Sequence, residues 1–214
     1  MIRYTLRQFS LNNVIMPVFD HFGFIAPYYD RLIRRSKPEK LLAQIDPPVS
    51  GFLLDVGGGT GRVAETLLDR TERVIVADLS MGMLQQARVK NNLAPVCASS
   101  ENLPFASNFF DRILMVDAFH HVLDQHQSAE ELWRILKSGG RLVIEEPDIH
   151  RFATKIVAIL EKLAFMRSHF KSPQEIESLF RYPDAKTRIV IDQVNAWIIV
   201  EKISTDENQT DSAS

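Results

Sequence analysis

The stretch Phe52-Leu53-Leu54-Asp55-Val56-Gly57-Gly58-Gly59-Thr60-Gly61 constrains this chain more than any other, because an apolar run enters it and a helix-like run, Val63 to Leu68, leaves it. A buried strand that turns through glycines into a helix leaves backbone N–H groups facing an open crevice, and such a turn holds a small ligand. Counted from Gly57, the dinucleotide fingerprint G-x-G-x-x-G needs its third glycine at position 62, where this chain has Arg62. The spacing here is G-x-G-x-G. A carboxylate opens the turn at Asp55, and a second one, Asp78, ends the next apolar run, Val74 to Ala77.

Strand-like and helix-like runs alternate from there: Met81 to Val89, Ile113 to Val116, Glu130 to Leu136 and Leu142 to Ile144 follow the two strands already named. Nearly unbroken apolar strands separated by helices predict an α/β fold, a parallel sheet covered on both faces and joined by right-handed crossovers. Ser80 suits the cap of the helix starting at Met81, and Ser138-Gly139-Gly140 suits the end of the helix before Leu142. Ile189 to Ile191 and Trp197 to Val200 read as a final hairpin around Asp192 to Ala196. Residues 1–48 read as a helical cap rich in Phe and Tyr, closed by Asp46-Pro47-Pro48. The core then runs over 49–203. Its helical insertion, at about 150–182, contains the apolar face Ile156, Val157, Ile159, Leu160, Leu163 and Ala164 and the capping-box sequence Ser172-Pro173-Gln174-Glu175. Residues 204–214 are small and polar and are expected to be a disordered tail.

Composition narrows the partners. A chain with 45% apolar and 24% charged residues is of the soluble globular class, and a net charge of −2 gives no general attraction to phosphate backbones, so nucleic acid is not the expected partner. Cys97 is the single cysteine, which excludes an internal disulfide and thiolate metal clusters; no metal is expected, and a reducing, cytoplasmic location follows. No apolar run approaches the roughly 18 residues of a membrane span. Arg31, Arg34, Arg35 and Lys37 make either a solvated helical face or a contact for an anionic substrate or lipid surface.

The glycine turn, the strand-end acid and the order of segments after them resemble the class I S-adenosylmethionine-dependent methyltransferases of small-molecule type, from about Phe52 to Pro147. The resemblance implies a Rossmann-like, seven-stranded, mostly parallel sheet with a C-terminal antiparallel hairpin. It implies S-adenosyl-L-methionine as cofactor and S-adenosyl-L-homocysteine as product. Gly57 and Gly59 would then let the backbone approach the methionine portion, and Asp78 would accept two hydrogen bonds from the ribose diol, a role its place at a strand end also suits. Leu79 falls where the family has an apolar residue against the adenine, and Met83 belongs to the methionine-leucine pair that follows. Asp55 would either meet the ligand's ammonium group or organise the amides of the turn. Cys97 to Phe105 corresponds to a family segment Gly-Asp-Ala-Glu-x-Leu-Pro-Phe whose aspartate meets the adenine amino group; Ser99 stands in that place, with Ser100 beside it. A hydroxyl can accept the same bond without the charge, which lowers the expected affinity by about 1 kcal/mol.

After the fourth strand, Asp117, His120 and His121 occupy positions that face cofactor and substrate in the family. His121 is the candidate base, since an ordinary imidazole titrates near neutrality, and His120 is the second; packing at a helix start is the other reading of the pair. Ile25-Ala26-Pro27-Tyr28-Tyr29-Asp30 resembles the segment that folds over the cofactor in the ubiquinone and menaquinone branch, which adds Tyr29 to the cofactor set. That branch carries an Arg-Asn pair where His120-His121 stand, so the match to it is partial. No Asn-Pro-Pro-Tyr-like sequence follows the fourth strand, which weighs against nitrogen acceptors in DNA or protein. The expected function is methyl transfer by in-line displacement to a small molecule, a quinone or phenol among the candidates. The alternative is a methyltransferase-fold binding or regulatory protein without transfer activity. A nicotinamide-dependent oxidoreductase is disfavoured by Arg62 and by the lack of a second mononucleotide half.

Overall fold

Residues that are apolar on both faces of a strand can be buried only in a sheet covered on both sides. Four such strands form the centre of the molecule: β1 (Phe52–Val56), β2 (Arg73–Asp78), β4 (Phe110–Val116) and β5 (Leu136–Pro147). With β3 (Leu93–Cys97), β6 (Ala185–Asp192) and β7 (Asn195–Lys202) they make one seven-stranded sheet in the order β3-β2-β1-β4-β5-β7-β6. The first five strands pair in parallel, while β7 runs antiparallel to both β5 and β6. The computed structural model describes residue 26 and residues 38–47, 50–147, 169–192 and 195–204. The cap segment with Tyr29, the basic cluster Arg31 to Lys37, the helix expected over Ile156 to Ala164 and the C-terminal tail lie outside them.

Alternation along each strand divides the core in two. On one face Leu54, Val56, Ile113, Leu142 and Ile144 pack against Ala129, Leu132 and Trp133 of α3 (Gln125–Ile135) and against Ile176 of the short α4 (Pro173–Glu177). On the other, Leu53, Val74, Val76, Leu114 and Val143 pack against Leu41 and Ile45 of α1 (Pro38–Ile45), Ala64 and Leu67 of the 3₁₀ helix Ala64–Arg70, and Leu84 of α2 (Met81–Arg88). Each fully buried leucine contributes on the order of 1.5–3 kcal/mol relative to an exposed one.

The caps predicted from sequence are present. Ser80 Oγ accepts from the Met83 amide at 3.2 Å, and Ser172 and Glu175 form a reciprocal capping box. The structure corrects three boundaries. β3 is absent from the runs read as strands because Pro95 interrupts it and its residues are only half-buried; a sheet edge tolerates proline because no further strand needs its N–H. α3 starts at Gln125, where Asp124 Oδ1 accepts from the Gln127 amide at 3.0 Å, five residues before the apolar periodicity becomes visible. The same helix ends at Ile135. Leu136 already pairs with Phe110, and Ser138-Gly139-Gly140 forms an irregularity inside β5, with Gly139 at φ +75°, before pairing resumes at Arg112 and Arg141. Among the described residues no helix is long and apolar enough to cross a membrane.

The chain winds outward from β1 to β2 and β3, then returns to the other side of β1 for β4. That reversal leaves a crevice outside the carboxyl ends of β1 and β4, the place where doubly wound sheets bind ligands.

Candidate active site at the carboxyl ends of the strands

The glycine bend is shaped by what surrounds it. The Gly57 amide donates to the Ala77 carbonyl at 2.7 Å, and Gly57 (φ +67°) lies so close to the turn after β4 that a Cβ there would sit 2.6 Å from Ala118 Cβ. Gly59 (φ +54°) differs: a Cβ would meet only Met83 Sδ and Asp78 Oδ2, both beyond 3.7 Å, so a methyl there would make ordinary contacts without a clash. The Gly59 amide donates to Asp78 Oδ2 at 2.9 Å, and the Ser80 amide donates to Oδ1 of the same carboxylate at 2.7 Å. Bend and strand-end acid therefore face each other. Of the other residues expected near a ligand, Met83 is buried on the side to which a Gly59 side chain would point, whereas Leu79 is 68% exposed at the end of β2.

Asp55 is 1% exposed, and among the described residues its Oδ2 has no hydrogen-bond partner. Burial first, then repulsion from Asp78, pushes its carboxyl up to about 7; the Ala64 amide and Arg62 offset part of this. The buried Arg62 Nε likewise has no partner among the described residues, and its charge acts on Asp55, Asp117 and Glu145. Arg62, notable in the sequence only for breaking a glycine pattern, is the cation of a carboxylate-rich site.

At the end of β3, the Ser99 hydroxyl donates to Glu101 Oε2, and the Ser100 hydroxyl reaches the same oxygen at 3.2 Å. Burial raises the Glu101 carboxyl, but those hydroxyls and the Glu101 and Asp124 amides outweigh it and hold the group below the usual carboxylate range. The hydroxyl proton of Ser99 is thus committed to Glu101, which leaves its oxygen an acceptor.

Asp117 sits at the end of β4 in the left-handed region, φ +50°, with its amide donating to the Glu145 carbonyl at 2.9 Å. The residue is exposed to solvent, although protein atoms crowd its carboxyl. That restricted solvation, then the charges of Glu145 and Glu146, push its carboxyl up to about 7. Glu145 is buried and also raised, chiefly by burial, with Asn195 donating to Oε1.

His120 and His121 follow on a single 3₁₀ turn with ring centroids 4.0 Å apart. The expectation for His121 assumed an ordinary imidazole. Burial and then the neighbouring His120 push it down to about 4, so it is neutral at pH 7 and a base roughly 300-fold weaker than that expectation supposes. His120 instead faces Glu146, with Nδ1 and Oε2 at 2.6 Å. Glu146 was not singled out in the sequence. The signal was there, since Glu145-Glu146 ends the apolar run Leu142 to Ile144 as Asp78 ends Val74 to Ala77. Tyr29 lies outside the described residues.

A sequence profile described as "Methyltransferase domain" matches residues 54–144. The demethylmenaquinone methyltransferase of Corynebacterium urealyticum is 30% identical over 177 residues, covering 78% of this chain and 75% of that protein. The ubiquinone/menaquinone biosynthesis C-methyltransferase of Rickettsia prowazekii is 27% identical over 158 residues, covering 68% of this chain and 63% of that protein. Among solved structures, a Thermotoga maritima protein described as an S-adenosylmethionine-dependent methyltransferase and possible histamine N-methyltransferase superposes with a TM-score of 0.67 at 24% identity, covering 85% of this chain and 98% of that one. That likeness shows the Rossmann-like fold. With the first of these relatives matched over three quarters of its length, the chain belongs to the S-adenosylmethionine-dependent methyltransferase family.

Proposed function

We propose that this chain transfers the methyl group of S-adenosylmethionine to a small-molecule acceptor with a phenol- or quinol-type ring, in the crevice where the glycine bend meets Asp78. The single observation that carries the reading is the 2.9 Å hydrogen bond from the Gly59 amide to Asp78 Oδ2, which brings bend and carboxylate together. Three features support the fit of the cofactor. The buried Asp55 Oδ2 lacks a described partner, a Gly59 side chain would meet no atom closer than 3.8 Å, and the exposed Leu79 offers an apolar surface of the kind a planar base covers.

In this reading Asp78 accepts from the ribose diol, Leu79 lies against the adenine, Ser99 accepts from the adenine amino group with Ser100 beside it, and Gly57 and Gly59 line the methionine portion. Met83 packs beside the bend, and Asp117 lines the path between cofactor and acceptor. Bound there, S-adenosylmethionine supplies a methyl group already activated for transfer. The chain's own residues have to align the acceptor, exclude water and take up a proton where the acceptor carries one. The acceptor class is supported by relatives named for demethylmenaquinone and for ubiquinone and menaquinone biosynthesis.

Calorimetry with S-adenosylhomocysteine tests the crevice: binding is expected for the wild type, and Asp78→Asn should weaken it by roughly 10- to 150-fold, the worth of a hydrogen bond to a charged group. Equal affinity in the two proteins would remove Asp78 from the site. For the acceptor, labelled cofactor and a panel of quinols and phenols should give a labelled small molecule; no product from any of them would refute the acceptor class.

A further inference from the structure

Glu146 ends β5, His120 follows β4, and the two meet with 4% and 8% of their surfaces exposed. A carboxylate this deep is strongly unfavourable unless donors surround it. Glu146 has one on each oxygen: the Phe119 amide at 2.7 Å from Oε1, and His120 Nδ1 at 2.6 Å from Oε2. Where that carboxylate is ionised it has no proton to give, so Nδ1 donates, and in the ring's neutral form the lone pair is on Nε2. Among the described residues Nε2 has no hydrogen-bond partner, and 10% of the side chain's surface is exposed.

The ring is also held in orientation. Phe170 stacks on it at 4.7 Å and 12°, the His169 amide donates to the His120 carbonyl at 2.8 Å, and Gln125 Nε2 ties the carbonyls of Phe119 and His169 together at 2.9 and 2.7 Å. The same turn abuts the glycine bend through the contact of Ala118 with Gly57. A ring anchored by a carboxylate at one nitrogen, with the other left to accept, is the arrangement of a general base.

We infer that His120 takes the proton from an ionisable hydroxyl, phenolic or enolic, on the methyl acceptor, and that Glu146 is the positioning residue that fixes its tautomer and offsets the charge of the imidazolium. This rests on the small-molecule methyl transfer proposed above. Nε2 gains the hydroxyl proton. The electron pair so released, on oxygen or on the conjugated ring carbon, forms the new bond to the methyl carbon as the methyl–sulfur bond breaks and leaves its pair on sulfur. Glu146 stays ionised throughout.

Glu146→Gln is the decisive substitution, because its side-chain orientation is dictated. The buried Phe119 amide still requires an acceptor, so the glutamine carbonyl turns to it and the NH₂ group faces Nδ1. Nδ1 must then accept, which places the ring proton on Nε2 and blocks the base while the shape of the site is kept. With phenols that are neutral at the assay pH, kcat should fall roughly 10²- to 10⁴-fold with KM little changed. With phenols already ionised at that pH, the loss should stay under about tenfold, since no proton needs removing.

Two readouts do not depend on turnover. Nitrogen-15 NMR of the wild type without ligands should show the His120 proton on Nδ1, and the variant should show it on Nε2. S-adenosylhomocysteine affinity by calorimetry should be the same in both proteins. Equal losses on ionised and neutral phenols, or an Nε2 proton in the wild type, would overturn the assignment. So would a wild type that binds S-adenosylhomocysteine and methylates only acceptors lacking an ionisable hydroxyl. A wild type that does not bind S-adenosylhomocysteine would refute the proposed crevice itself, and with it this inference.

Discussion

Replacing Asp55 with asparagine separates the two roles open to that carboxylate, partner of the ligand's ammonium group or organiser of the bend. In the free chain its carboxyl stands at about 7, so most molecules carry it protonated at lower pH. A cation beside it binds the ionised form, and the apparent Kd is then multiplied by one plus ten raised to the pKa minus the pH: about 33 at pH 5.5 and about 2 at pH 7.0. Affinity for S-adenosylhomocysteine should therefore rise about sixteenfold, or about 1.6 kcal/mol, between those values, while the ligand's amine, with an α-amino pKa near 7.7–8.0, stays mostly charged. Asp117, also raised to about 7, adds its own dependence to both proteins, so the difference between wild type and Asp55→Asn isolates Asp55. Calorimetry at the two pH values should show the wild type gaining more than the variant, with proton release at pH 5.5.

Stability provides the control. The folded value lies above the unfolded one, so the stabilisation from the protonated form is complete below about 4 and is lost as pH rises through about 7. The gap between 3.8 and about 7 corresponds to roughly 4 kcal/mol at most, and Asp55→Asn should remove that loss from denaturant titrations. If the stability difference appears but the pH dependence of ligand affinity is the same in both proteins, the ammonium role is wrong and the carboxylate serves the bend.

Two further substitutions test fold and site separately. Gly57→Ala adds a methyl 2.6 Å from Ala118 Cβ at φ +67°, which should cost about 2–5 kcal/mol and lower Tm by about 5 °C or more; a drop under about 2 °C would contradict the contact. Leu79→Ala removes a side chain that is 68% exposed in the free chain, so Tm should stay within about 2 °C while S-adenosylhomocysteine affinity falls roughly 5- to 30-fold; unchanged affinity would place the adenine elsewhere.

What could be read from the sequence follows from where each signal resides. β1, β2, β4 and β5 were legible because strands buried on both faces write their burial into consecutive residues, and Asp78 was legible because it ends one of them. β3 was not, since an edge strand with Pro95 has neither continuous apolarity nor strict alternation. The histidines illustrate the other limit. Adjacent in sequence, His120 and His121 look interchangeable, but Glu146, twenty-six residues beyond His120, reaches only the first, while burial depresses the second. Ser99 likewise looked like a plain loss of charge until Glu101 took its proton. The pairing of His120 with Glu146 arises where strands 4 and 5 end side by side, and no local pattern encodes it.

The proline on the outermost strand also bears on how copies of this molecule meet. Pro95 has no N–H to offer in the middle of one sheet margin, and the opposite margin, β6, presents the exposed cations Lys186 and Arg188. A second copy trying to extend the ladder meets a missing donor on one side and charge repulsion on the other. Self-association by margin-to-margin pairing is therefore disfavoured at both ends, and the sheet stays finite in concentrated solution.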